Sequence, residues 1–150
     1  MIDLELNSST DLKREGKSFY WASFFLPKNS KKKAGILYSI CRYFDDIADK
    51  YSEDQTIYLK NSIEEIKTNK NNKVNIFLQK NEINNLIFID LIEGLILDQK
   101  KIRIQNKEEL IKYSYHVAGT VGLMMSKIIG VKDEKAARSC LLYTSDAADE

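Results

Sequence analysis

The sequence predicts an all-α fold, and three features of the chain support that prediction. The 150 residues include one Pro and six Gly, which leaves long runs without a helix breaker. Apolar residues recur at three- and four-residue spacing in several of these runs. The apolar stretch from Val74 to Leu97 is too long for a strand and contains no Pro. With 43% hydrophobic and 30% charged residues, the composition indicates a globular chain of about one domain.

The first two helices are separated by Pro27. The first is predicted to begin near Leu12 and to end at Pro27, which disfavours helical angles at the residue before it. Ser30 is expected to cap the second helix, which should run from about Lys31 to Lys50. Its periodic residues predict an inward face made of Ala34, Leu37, Tyr38, Cys41 and Phe44 or Ala48.

The later helices follow from the same signals. A third helix is predicted over Glu53 to Lys67, with Ile57, Ile63 and Ile66 facing inward, and residues 68–73 form a polar linker. The stretch 74–97 is predicted to form one or two helices with a break near 81–85. Asn106 should cap the last helix, which runs to about Ile129, because Glu109 follows it three residues later.

Charge and targeting signals exclude several classes of protein. A net charge of +1 argues against a nucleic-acid partner. The sequence has no apolar stretch of 18 residues, so no transmembrane helix is predicted. The N-terminus lacks the apolar core of a signal peptide. Two cysteines do not make a disulfide framework. We therefore expect a cytoplasmic protein, and peripheral contact with a membrane stays open.

A polar stripe on the second helix carries the strongest functional signal. Tyr38, Arg42, Asp45 and Asp49 are spaced four, three and four apart, so they stack along one helix face. Magnesium is usually held by one or two carboxylates together with substrate phosphates, and Arg42 adds a fixed cation. Asp46 lies about 100° round the helix and is the weaker candidate ligand. The stripe predicts a site for a magnesium-bound diphosphate, with a solvated acidic surface as the alternative.

Three blocks of sequence resemble the squalene and phytoene synthase family in order and in spacing. They are KSFYWASFFLP at 17–27, CRYFDDIAD at 41–49 and YSYHVAGTVG at 113–122. The resemblance runs from about Asp11 to about Lys135. It implies an isoprenoid synthase-type helical bundle, here truncated to its N-terminal helices.

The resemblance also implies roles for individual residues. Asp45 and Asp49 would hold Mg²⁺, with Mn²⁺ as an alternative, beside Arg42 and Tyr38 as catalytic residues. Ser18 would hydrogen-bond the diphosphate, and Phe19 would contact the reacting isoprenoid chain. The cavity for the isoprenoid tail would be lined by Val117, Ala118, Val121 and Gly122, with Tyr113 as an aromatic neighbour.

Other residues near these blocks keep two interpretations. Gly119 and Gly122 each cost about 1 kcal/mol relative to Ala inside a helix, which indicates either close helix packing or a pocket wall. Asp98 is either a structural carboxylate or a residue of the diphosphate region. For His116, the only histidine of the chain, a metal-binding or catalytic role is disfavoured because no other histidine or cysteine clusters with it.

The implied reaction is the head-to-head joining of two prenyl diphosphates in carotenoid biosynthesis. The residues of the first block, at 17–27, favour geranylgeranyl diphosphate as substrate and phytoene as product. The C15 branch, to squalene or dehydrosqualene, remains an alternative, and NADPH is required only for squalene. A third hypothesis is a non-catalytic family member that acts as a respiratory complex assembly factor, and a fourth is a generic helical interaction protein. The presence of Asp45, Asp49 and Arg42 together favours the enzyme.

The end of the chain departs from the family pattern. Residues 138–150 resemble translated sequencing-adapter read-through and are expected to be a non-native tail. Residues 1–137 are then the N-terminal part of one isoprenoid synthase domain, without the second aspartate-rich helix. We expect this fragment alone to be inactive, because one carboxylate helix supplies half of the metal clamp.

Overall fold

The computed structural model describes residues 24–50, 52–99 and 104–131. These ranges contain α-helices, one π-helical segment and no strand, so the predicted all-α class is confirmed. The elements are α1 (Lys28–Asp49), α2 (Glu53–Thr68), α3 (Lys73–Lys80), α4 (Asn85–Asp98), α5 (Lys107–Ser114), a π segment (Tyr115–Gly119) and α6 (Thr120–Ile129). None of the helices in the described ranges has the length and apolar character needed to cross a membrane.

Helix α1 begins earlier than the sequence predicted. Ser30 makes no capping hydrogen bond, and the residue before the helix is Pro27, whose ψ of 146° is extended. The Pro27 carbonyl accepts the first helical hydrogen bond, from the Lys31 N–H at 2.9 Å. The Ser30 cap was therefore wrong, because a proline just before a helix supplies the extended backbone that a capping serine would otherwise stabilise.

The later boundaries follow the predicted signals. The helical stretch 74–97 is broken at 81–84, as expected. Asn72 caps the N-terminus of α3, and Asn84 caps the N-terminus of α4. Asn106 Oδ1 accepts the Glu109 N–H at 2.9 Å, which confirms the predicted N-cap. The Glu109 carboxylate accepts the Gln105 N–H at 2.9 Å, so the reciprocal bond of the capping box is displaced by one residue.

Helix α4 lies at the centre of the packing. Its Phe88 meets Phe44 of α1 edge to face, with ring centroids 5.4 Å apart, and both rings are fully buried. The predicted inward residues Ala34, Leu37 and Ala48 are also buried. The α1–α4 contact thereby fixes the face of α1 that carries the polar stripe.

On α2, the predicted core position Ile57 is exposed, and Leu59 is buried in its place. Ile57 is 49% exposed, whereas Leu59, Ile63 and Ile66 are buried. Leu59 lies four residues before Ile63 and shares its face, while Ile57 lies six residues before it and points elsewhere.

Cys41 is half-buried against the core, and burial raises the pKa of its thiol to about 12. Burial therefore favours the neutral form of the thiol.

Candidate functional site

The C-terminal ends of α1 and α4 enclose an acidic pocket. Its volume is about 210 Å³. Both aspartates of the predicted stripe face into it, and a third aspartate enters from α4. The lining residues are Asp45, Ala48, Asp49, Leu95, Asp98 and Gln99.

Arg42 is held beside this pocket by two carboxylates. Its Nη1 lies 2.9 Å from Asp45 Oδ2, and its Nη2 lies 2.8 Å from Asp46 Oδ1. All three side chains are more than a third exposed, so each ion pair contributes at most about 1 kcal/mol to stability. The pairs nevertheless fix the direction of the guanidinium. Asp46 does not line the pocket, and its carboxylate instead forms the ion pair with Arg42.

The pocket carries excess negative charge. The pKa of Asp45 is raised, first by desolvation and then by the Asp49 carboxylate, while Arg42 opposes the shift. Asp46 and Asp98 raise it further. A cation bound between these carboxylates would relieve the repulsion.

The carboxylates suit an ion that keeps other ligands. Within residues 24–50, 52–99 and 104–131, no group of three or more His, Cys, Asp or Glu side chains is close enough to enclose a metal ion. Magnesium retains several waters and commonly takes one or two carboxylates plus phosphate oxygens. Asp45 and Asp49 fit that incomplete coordination shell.

Tyr113 connects α5 to the acidic pocket through Asp98. Its Oη donates to Asp98 Oδ1 at 2.7 Å, and this hydrogen bond to a carboxylate is the main cause of the raised pKa of the phenol. From the family resemblance, Tyr113 was expected beside the apolar cavity. Asp98 was expected to be either a structural carboxylate or a residue of the diphosphate region. The structure puts both side chains at the acidic end of the helices. The available signal was the spacing of Asp98 from Gly94, which places it one turn further along α4.

A π segment interrupts the predicted last helix. The single helix expected from Lys107 to Ile129 contains a π turn at Tyr115–Gly119, which sequence periodicity did not indicate. Such turns widen a helix locally and occur often at functional sites.

The π segment packs closely on α4 at Gly94. A Cβ on Gly94 would lie 2.6 Å from His116 Cβ. His116 Nδ1 lies 2.9 Å from the Asp90 carbonyl, and Tyr115 Oη donates to the Asp90 carboxylate at 3.1 Å. Gly94 thus allows a close helix approach, and His116 makes a helix-to-helix contact.

The remaining predicted residues lie apart from the acidic pocket. Val117, Val121 and Gly122 are half-buried, and Ala118 is exposed. Val121 packs against the core, and none of the four lines the pocket. Tyr38 is half-buried on α1, one turn before Arg42. Ser18, Phe19 and the expected tail 138–150 lie outside the described residues.

Comparisons with known proteins point to one family. The family model for squalene/phytoene synthase matches residues 12–142. A 15-cis-phytoene synthase of Enterobacter agglomerans is 29% identical over 147 residues, covering 83% of this chain and 48% of that protein. A 15-cis-phytoene synthase of a Paracoccus species is 26% identical over 158 residues, covering 93% of this chain and 52% of that protein.

A plant relative matches a shorter segment more closely. The chloroplastic phytoene synthase of Narcissus pseudonarcissus is 43% identical over 61 residues, which cover 41% of this chain and 14% of that protein. The chain spans about half the length of the two bacterial relatives. No solved structure gives a significant match.

Proposed function

The chain belongs to the squalene/phytoene synthase family, an all-α isoprenoid synthase fold, and on that premise we propose that it carries a magnesium-diphosphate site of a head-to-head prenyltransferase. The observation that carries the proposal is the acidic pocket, in which Asp45 and Asp49 of α1 face Asp98 of α4. The favoured substrate is geranylgeranyl diphosphate, and the favoured product is phytoene. Support for that choice comes from the relatives, which are named phytoene synthases.

In this proposal the two stripe aspartates bind the metal and leave room for substrate oxygens. Asp45 and Asp49 would supply carboxylate oxygens to the metal, and diphosphate oxygens would serve as further ligands. Magnesium, when bound, supplies the positive charge that stabilises the departing diphosphate. The raised pKa of Asp45 supports this role, because a carboxylate that is partly desolvated and then crowded by the Asp49 charge is stabilised by a nearby cation.

Arg42 and Tyr38 act beside the metal ligands. Arg42 is already oriented by Asp45 and Asp46, so its guanidinium can meet a diphosphate oxygen with little further loss of side-chain freedom. Tyr38 lies one turn before Arg42 on the same stripe and is proposed to contact the same diphosphate. Asp46 holds Arg42 in place and takes no metal.

The apolar part of the substrate is assigned to the helix that contains the π segment. Val117, Val121 and Gly122 offer small, half-buried surfaces there, and Ala118 continues the same block of sequence. We assign the isoprenoid chain to this surface, and Ser18 and Phe19 to the substrate as the family resemblance implies. The carbon–oxygen bond of one prenyl diphosphate breaks and releases diphosphate, and the allylic carbon so freed bonds to the double bond of the second molecule, which loses a proton to form a cyclopropylcarbinyl diphosphate. The second diphosphate then leaves, and after rearrangement the loss of another proton gives phytoene.

The test is a product assay on the full-length protein that contains residues 1–137. It is incubated with Mg²⁺ and either farnesyl or geranylgeranyl diphosphate, with and without NADPH. Phytoene formed from the C20 substrate without reductant is the expected result, and Asp45→Asn should abolish it. Asp54→Asn is the matched control, because Asp54 lies exposed in the first turn of α2.

Other products would change the assignment in defined ways. A C30 hydrocarbon from the C15 substrate would move the protein to the squalene or dehydrosqualene branch, and a requirement for NADPH would select squalene. A folded protein that forms no hydrocarbon from either substrate would overturn the enzyme and favour the non-catalytic assembly factor.

A further inference from the structure

We propose that Gln99 is a positioning residue of the acidic pocket, which fixes the last turn of α1 against α4 and α2 through both ends of its side-chain amide. The inference rests on the proposed function, because the turn it fixes carries Asp45 and Asp49. No block of the family resemblance includes Gln99.

The contacts of Gln99 join three helices at one point. Gln99 follows α4 directly, and its Nε2 donates to the Ala48 carbonyl of α1 at 3.1 Å. Its Oε1 accepts from Thr56 Oγ1 of α2 at 2.8 Å. These bonds connect residues 51 and 43 positions apart in the chain. Because both ends of the amide contact the protein, we assign Gln99 to positioning and not to ligand binding.

The bonded carbonyl has a sensitive position. Ala48 lies between Asp45 and Asp49 in the last turn of α1, where helix carbonyls lack an intrahelical partner. The C-terminal ends of α1 and α4 meet at the pocket, and each carries the negative end of a helix dipole. An N–H donor to Ala48 satisfies the carbonyl and offsets part of that negative potential. The amide of Gln99 does this without adding charge.

Thr56 holds the amide in the donating orientation. Its hydroxyl contacts Gln99 Oε1, which leaves the Nε2 end directed at Ala48. Thr56 lies in the first turn of α2, which starts three residues earlier after the Ser52 cap. Thr56 Oγ1 also lies 3.2 Å from the Ser52 carbonyl at the start of α2, so the shorter contact with Gln99 is one of two that the hydroxyl makes. Loss of the hydroxyl should let the Gln99 amide rotate, and we expect its effect on the pocket to pass through Gln99.

The experiment measures Mn²⁺ binding to the whole chain in excess inorganic pyrophosphate by equilibrium dialysis, which counts the Mn²⁺ retained with the protein separately from the Mn²⁺ that pyrophosphate complexes in solution. We expect Gln99→Met, which keeps the length and removes both hydrogen bonds, to weaken Mn²⁺ binding on the order of tenfold, as lost partners of metal ligands commonly do. Thr56→Val should weaken binding less. The double variant should bind no worse than Gln99→Met alone, because the two residues act in series.

Matched controls separate positioning from general stability. Gln79→Met replaces an exposed glutamine of α3, and Thr68→Val removes a hydroxyl at the other end of α2 that bonds only within its own helix. Both controls should bind Mn²⁺ as the wild type does. Thermal unfolding of every variant shows whether affinity changes independently of stability.

The outcomes distinguish this inference from the proposed function. If the wild type binds Mn²⁺ with pyrophosphate and Gln99→Met binds it equally well, the inference is overturned and the proposed function stands. If the wild type does not bind, both fall. If Gln99→Met does not fold, unchanged binding by Thr56→Val overturns the inference.

Discussion

Gly94→Ala is expected to destabilise the protein although alanine is the better helix former. The new Cβ would lie 2.6 Å from His116 Cβ, 3.2 Å from the His116 carbonyl carbon and 3.3 Å from its oxygen. Carbon atoms pack at about 3.5–4.0 Å, so α4 and the π segment would have to separate by roughly 1 Å. Two of the three contacts are with backbone, so a rotamer change cannot relieve them.

The magnitude follows from two opposing effects. Overpacking of this kind costs up to about 3 kcal/mol, and the backbone contacts place this site at the upper end. Replacing glycine by alanine inside a helix returns about 1 kcal/mol. We expect a net loss of about 2 kcal/mol, which lowers the melting temperature by roughly 4–8 °C in a chain of this length.

Thermal and urea unfolding of Gly94→Ala and Gly119→Ala would test this reasoning. Gly119→Ala is the control, because its Cβ would meet only the Tyr115 side chain, at 3.1 Å for the nearest atom, and that ring can shift. The imidazole NMR signals of His116 should move in Gly94→Ala, since its hydrogen bond with the Asp90 carbonyl crosses the same contact. A Gly94→Ala variant as stable as the wild type or more stable would refute the close approach.

Two further predictions concern the carboxylates of the acidic pocket. Asp49→Asn should stabilise the metal-free protein at neutral pH by a few tenths of a kcal/mol, because like charges four residues apart repel, and urea unfolding would measure this. The pKa of Asp45 is raised in the folded protein, so ionisation of Asp45 lowers the stability as the pH rises. The stability gained by Asp49→Asn should therefore vanish as the pH falls through that pKa, where Asp45 becomes neutral. Equal stability of the variant and the wild type at neutral pH would contradict the predicted repulsion. Asp98→Asn should lower the pKa of Tyr113 toward its ordinary value, since the hydrogen bond to the carboxylate is the main cause of the shift. An NMR titration of the tyrosine ring carbons, with Tyr113→Phe to assign the signal, measures that pKa, and an unchanged value would exclude the 2.7 Å hydrogen bond.

Local sequence signals were sufficient for most helix boundaries. The break at 81–84 and the Asn106 cap depend on side chains within three residues of the backbone groups they satisfy. Such contacts are visible in sequence because they are local. The Ser30 cap failed where two local signals competed, since Pro27 had already set the start of α1.

The stripe on α1 was predictable, but its partners across the pocket were not. Helical spacing alone placed Asp45 and Asp49 on one face. Asp98 and Gln99 joined them through packing of α4 on α1, which depends on contacts about 50 residues apart. The π segment was missed because its hydrogen-bond pattern breaks the 3.6-residue period from which the helix was predicted.

Calorimetric titration of Mg²⁺ into the chain, with and without inorganic pyrophosphate and with the heat of Mg²⁺ binding to pyrophosphate alone subtracted, tests the central claim most directly. The wild type should bind Mg²⁺ more tightly when pyrophosphate is present, and Asp45→Asn should lose at least about tenfold in affinity. Asp54→Asn should bind as the wild type does. Equal binding by the wild type and Asp45→Asn would show that the acidic pocket is not a metal-diphosphate site.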